Sequence, residues 1–145
     1  MAEALLRREL ASASVSGEWQ VASAGTWAQE GFRASENGVE VMRERGLDIS
    51  EHRSRTLTPS LLAEADLVLT MTLGQAESLR AEEPHAAHKI LQLSEMAGHA
   101  YDIQDPYGRA VEHYRWTADE LEGLISRGLN RIVALAQGSG STTPR

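Results

Sequence analysis

The chain predicts an α/β domain built on a small parallel sheet, on three observations. Segments of strand and helix character alternate along its 145 residues, the order that a parallel sheet with crossover helices requires. Leu67-Val68-Leu69-Thr70-Met71 is a short apolar run with β-branched members, the pattern of a strand buried on both faces. From Val111 to Gln137, residues Tyr114, Ala118, Leu121, Ile125, Ile132 and Ala136 recur at helical spacing, which predicts one long packed helix.

The remaining elements follow in order. Ala2 to Leu10 reads as helix, with Ala4, Leu5 and Leu6 among good helix formers. Ser12 to Gly17 is a loop by composition, and Glu18 to Ser23 reads as a strand ended by Ala24-Gly25-Thr26. After a loop over Gly31 to Ala34, Ser35 is an N-cap for a helix carrying Val39 and Met42 on one face, with Gly46 as its stop. Thr58-Pro59 opens a short helix whose buried side is Leu61, Leu62 and Ala65. A helix over Gln75 to Glu82 stops at Pro84, and Lys89 to Leu93 is a further strand. Ser94 to Gly108 reads as loop. Thr117 and Glu120 have capping-box spacing inside the long helix, marking either a start or bend there or a coincidence. Residues 1–137 are expected to form one domain, and 138–145 (GSGSTTPR) a disordered tail.

Composition narrows the function. At 41% hydrophobic and 24% charged the chain is ordinary for a globular protein. No apolar run reaches the roughly 18 residues of a membrane span, and the N-terminus lacks a signal-peptide pattern, so the expectation is a cytoplasmic protein with no membrane partner. The net charge of −7 and the lack of a basic stripe argue against nucleic acid. Arg53 and Arg55 are the nearest approach to a basic cluster, and two arginines make no nucleic-acid groove. There are no cysteines, which removes disulfides, thiolate metal sites and thiol nucleophiles from these residues. His85 and His88 show no metal-ligand pattern; neither metal nor cofactor is expected.

In an α/β sheet the active site lies beyond the C-terminal strand ends, which directs attention to Ser23–Trp27, Thr72–Gln75 and the loop from Ser94 to Gly108. In Asp105-Pro106-Tyr107-Gly108, proline fixes its own φ and biases Asp105 toward an extended backbone. The segment reads by spacing first as a turn, and otherwise as a carboxyl aimed into a cleft beside an aromatic wall. A carboxyl beside a bound anion keeps its proton to higher pH and serves as a general acid. His52, preceding Arg53 and Arg55, is a switchable base or a hydrogen-bonded scaffold residue. Trp27 lines a pocket or packs on the sheet, and Trp116 reads as a packing residue.

Five segments in order resemble the low-molecular-weight protein tyrosine phosphatase family, including bacterial members that act on phosphoarginine. They are Met1–Leu6 (helix after the phosphate loop), Ser23–Thr26 (end of the second strand), His52-Arg53-Ser54-Arg55, Ala65–Met71 (third strand) and Asp105–Gly108 (acid loop). The resemblance implies a flavodoxin-like three-layer αβα fold and a phosphocysteine mechanism. In it a loop of form C-x5-R-[ST] binds phosphate, Asp105 acts as general acid and base, Tyr107 flanks the substrate, and His52 supports the loop, with Trp27 a further candidate for substrate binding. The implied partner is a phosphorylated protein or small aryl phosphate. That family's first, central strand and its loop would precede Met1. The sequence therefore predicts a natural enzyme longer at its N-terminus and no phosphatase activity from these residues alone. A non-catalytic phosphatase-like binding module and another flavodoxin-like signalling domain are the alternatives.

Overall fold

The computed structural model describes residues 1–138. They form two compact units, the first from residues 1–57 and 104–123 and the second from residues 58–103 and the helical stretch that follows residue 123.

In the first unit, α1 (Ala2–Ser12) buries Leu5 and Leu10. Helix α2 (Glu36–Glu44) begins where sequence places it: the Ser35 hydroxyl accepts from the Gly38 amide. It buries Gly38, Val41 and Met42, with Val39 only half-buried. Gly38 is needed there, since a methyl group on it would crowd the Ser35 hydroxyl and touch the Tyr114 ring. The helix ends in a Schellman motif, with Gly46 at φ 74° and amide bonds from Gly46 to Arg43 O and from Leu47 to Met42 O. The long helix α5 (Val111–Gly138) contributes Tyr114, Ala118 and Leu121 to the buried set of this unit. Ion pairs bind these helices together: Arg8 and Arg45 both reach Glu122, Arg45 reaches Asp119, and Arg115 makes a forked pair with Glu44.

The predicted strand over Glu18 to Ser23 is not formed. A strand exists through the ladder that a neighbour offers, and among the described residues none pairs with this segment. Side chains take up its carbonyls instead: Arg7 donates to Val21 O at 2.6 Å and Arg55 to Ser23 O at 3.1 Å. Only at Gly25, bridged in parallel to Thr56, does pairing begin.

The second unit holds the sheet. Strand β1 (Val68–Thr70) pairs in parallel with β2 (Ile90–Gln92), Val68 opposite Ile90 and Thr70 opposite Gln92. Val68 and Leu69 are half-buried and Thr70 is buried, so β1 is less enclosed than its apolar run predicts. Helix α3 (Pro59–Glu64) starts at a Thr58 cap with proline at its first position, as expected, and buries Leu62. Helix α4 (Leu73–Glu82) starts two residues earlier than predicted, because Thr72 and Gln75 form a capping box. Pro84 ends α4 and opens a 3-10 segment, Pro84–Lys89. A second 3-10 turn, Ser94–Ala97, lies within the segment expected to be loop. Leu124, Ile125 and Ile132 of α5 are buried. Gly128 meets Met96 so closely that an added Cβ would stand 2.6 Å from the Met96 Cβ.

The helix α5 runs unbroken through Thr117 and Glu120, so their capping-box spacing is coincidental. Gly138 is its last residue, and the rest of the expected tail, 139–145, lies outside the described residues. Trp116 does not pack into the interior: it is 62% exposed and meets only the edge of His113, with ring centroids 4.9 Å apart. It lies two residues from Tyr114, some 200° around the helix, on the opposite face. No described helix is long and apolar enough to cross a membrane.

Candidate active site

Asp105 sits in a turn that its own side chain organises. Its Oδ1 accepts from the Tyr107 amide at 3.0 Å, and the Arg109 amide donates to Pro106 O at 3.0 Å. Gly108 takes φ 76°, which a side-chain-bearing residue would resist at that corner. Pro106 is buried while Asp105 is exposed and Tyr107 is 78% exposed. The turn reading is met; the carboxyl and the phenol face solvent rather than a cleft. Asn37, in the first turn of α2, fastens the far end by donating from Nδ2 to Arg109 O at 3.2 Å.

Trp27 is 95% exposed, on a loop stapled to the segment after His52. The Gly25 amide donates to Arg55 O, the Leu57 amide to Gly25 O, the Gly31 amide to Ser54 O and the Ser54 amide to Phe32 O. The Thr56 hydroxyl donates to Ala28 O. Gly25 lies so near Ala28 that an added Cβ would stand 2.6 Å from the Ala28 Cβ.

His52 lies beside Glu3, with Nδ1 3.9 Å from Oε2. That separation suits an ion pair with a protonated imidazole but is too long for a hydrogen bond. Glu3 is the hub of this corner: Ser23 donates to its Oε2 at 2.6 Å and Arg7 to its Oε1 at 2.7 Å. Burial pushes the Glu3 carboxyl up, but the bonds from Ser23 and Arg7 and the charges of Arg7 and His52 outweigh it, leaving it below the usual glutamate range. A cavity of about 290 Å³ opens here, lined by Glu3, Arg7, Ser23, His52, Arg53 and Arg55 among others.

Sequence reasoning singled out Asp105, Tyr107, Trp27 and His52, pointed to Ser23 only as the start of a strand-end segment, and missed Glu3 and Arg7. The i,i+4 spacing of Glu3 and Arg7 was a usable signal; the approach of Ser23, twenty residues on, was not. The structure joins Asp105 to Tyr107 in one turn and His52 to the Glu3 corner, and Trp27 stands on the loop tied to Ser54–Leu57.

The cavity is walled by guanidinium and imidazole groups together with the Glu3 carboxylate, and the Asp105 carboxyl stands on a separate, rigid, solvent-facing turn of an α/β protein. Residues 1–137 match the model of the low molecular weight phosphotyrosine protein phosphatase family, and the chain belongs to that family. It is 36% identical over 135 residues to the "Probable low molecular weight protein-tyrosine-phosphatase EpsP" of Ralstonia nicotianae, covering 93% of this chain and 88% of that one. It is 38% identical over 109 residues to a protein-arginine-phosphatase of Geobacillus stearothermophilus, covering 74% and 73%. The crystal structure of a low molecular weight protein tyrosine phosphatase from T. tengcongensis superimposes with a TM-score of 0.83 at 40% identity, over 90% of this chain and 88% of that one. The flavodoxin-like α/β fold expected from the sequence is the fold of these phosphatases.

Proposed function

We propose that these residues form the body of a protein phosphatase acting on phosphotyrosine or phosphoarginine through a phosphocysteine intermediate. The observation that carries the reading is the family match over residues 1–137, and the Asp105 turn supports it. In the proposed reaction a cysteine thiolate attacks phosphorus, forming the S–P bond as the bond to the leaving group breaks. Asp105 gives that leaving group its proton. Asp105 then takes a proton from water as the water attacks phosphorus and releases the cysteine. Tyr107 and Trp27, both exposed aromatics, flank the substrate side chain. His52, anchored toward Glu3, steadies the phosphate-binding loop.

The 145 residues contain no cysteine. By themselves they form no phosphocysteine and hydrolyse no phosphate ester. The test joins an apolar strand and a C-x5-R-[ST]-P loop ahead of Met1 and compares p-nitrophenyl phosphate turnover with that of the 145-residue chain. Turnover by the joined form alone is expected. Turnover by the shorter chain, at confirmed mass, sinks the phosphocysteine reading, and an inactive but folded joined form sinks the phosphatase reading. The absence of cysteine favours one second reading, a non-catalytic module that binds phosphorylated ligands, for which the joined form would bind phosphotyrosine without turning it over.

A further inference from the structure

Several arginines on or at the ends of the first unit's helices face carboxylates. Arg7 pairs with Glu3, Arg8 with Glu122, Arg45 with Asp119 and Glu122, and Arg115 with Glu44. Arg33 and Arg53 depart from this pattern. They are cross-strand partners in an isolated antiparallel bridge, pinned in register by the Ser54 amide on Phe32 O at 2.8 Å. Residues directly opposite in such a bridge project to the same side, and like charges so placed repel. Both are exposed. Among the described residues neither has a carboxylate within 4.0 Å. Arg53 donates only to the carbonyls of Ser50 and His52, and the Arg33 side chain makes no hydrogen bond.

Arg53 also lines the cavity that holds His52, Glu3 and Arg55. Arg53 thus belongs both to the lining of the cavity and to the bridge with Arg33, on a protein whose net charge is −7. A stretch of unneutralised cation on an acidic protein complements an extended anion whose negative charges are spaced along a backbone.

We infer that the Arg33–Arg53 bridge is a docking surface for an acidic polypeptide segment, carboxylates or a second phosphate seated on the paired guanidiniums while the phosphorylated residue points toward the cavity. The orientation of the segment rests on the phosphatase reading; the attraction of acidic peptide to the bridge does not. Arginine suits this role because its planar fork bonds carboxylate or phosphate oxygens in pairs.

The test uses the 145-residue chain. Its amide NMR spectrum is titrated at low ionic strength with a short unphosphorylated peptide rich in Asp and Glu, with a neutral peptide of equal length, and with a single-stranded oligonucleotide. The expected result is perturbation centred on Arg33, Arg53 and Ser54 by the acidic peptide, weakened by added salt. Arg33→Glu is expected to weaken binding by about three- to ten-fold and Arg33→Gln by less, as for exposed ion pairs. Both variants must keep the parent spectrum elsewhere, and Arg33 lies outside the proposed catalytic groups. Replacing one carboxylate of the peptide by phosphoserine distinguishes the two anions, with the phosphorylated peptide expected to bind tighter. Equal binding of neutral and acidic peptides, unchanged affinity in Arg33→Glu, or tighter binding of the oligonucleotide overturns the proposal. Because no turnover is read, these outcomes are independent of whether the joined form described above is active.

Discussion

The Ser23 hydroxyl donates to the Glu3 carboxylate at 2.6 Å, fastening the first turn of α1 to a segment that has no ladder of its own. With Arg7 on the other carboxylate oxygen and on Val21 O, the bond fixes one wall of the cavity that contains His52. Ser23→Ala is expected to raise the Glu3 pKa toward the ordinary glutamate range and to cost about 1 kcal/mol, the scale of a partly exposed charge-assisted bond. A carboxyl titration by NMR and a urea melt read the two effects. An unmoved Glu3 titration would contradict the role assigned to Ser23.

Acid should weaken the first unit. Burial opposes the ionised form of Glu3, but Ser23 and Arg7 override it; at Glu122 the Arg8 bond leads, with Arg45 adding to it. Both carboxyls lie below their ordinary range when folded. The folded state therefore binds fewer protons than the unfolded chain near pH 4. The stability they contribute is complete above the unfolded glutamate pKa of about 4.3 and is lost as pH falls through the lowered folded values. Stability measured against pH should be level near neutrality and decline below about pH 4.5. Glu122→Gln should flatten that decline, and an unchanged slope would show that the Arg8–Glu122–Arg45 group contributes nothing.

The Gly25→Ala variant should lose about 1–3 kcal/mol, the cost of forcing a methyl group into a filled space. An added Cβ would stand 2.6 Å from the Ala28 Cβ, on the loop that carries Trp27. A denaturant melt measures the loss, and a wild-type midpoint would mean that the loop yields freely.

Asn37→Ala removes the bond that holds Arg109 O. Faster amide exchange is expected at Tyr107 and Arg109, several-fold, with the Gly38 amide unaffected because Ser35 caps it. Uniform acceleration over all three would indicate general loosening of α2 rather than release of the turn.

What sequence revealed and what it hid divide by the range of the interaction. The caps at Ser35 and Thr58 and the Schellman end at Gly46 were legible because each is settled within a few residues. The long helix was legible from its period, yet Trp116 was misplaced although its spacing from Tyr114 puts it on the outer face. Glu18 to Ser23 has the composition of a strand, but pairing is supplied from outside a segment, and here arginine side chains occupy its carbonyls. At the candidate site, Asp105 and Tyr107 could be read because a proline turn is local. The meetings of Glu3 with Ser23 and of Arg33 with Arg53 depend on tertiary folding alone.

The central claim is that Asp105 is the acid and base of a phosphatase body, and Asp105→Asn tests it most directly. The asparagine keeps an oxygen that can accept from the Tyr107 amide, so the turn is retained while the transferable proton is lost. In the form carrying a C-x5-R-[ST]-P loop ahead of Met1, kcat for p-nitrophenyl phosphate should fall by about 10²–10³-fold, with a steeper dependence on leaving-group pKa. A variant that folds like the parent and keeps its full kcat and leaving-group dependence would contradict the account.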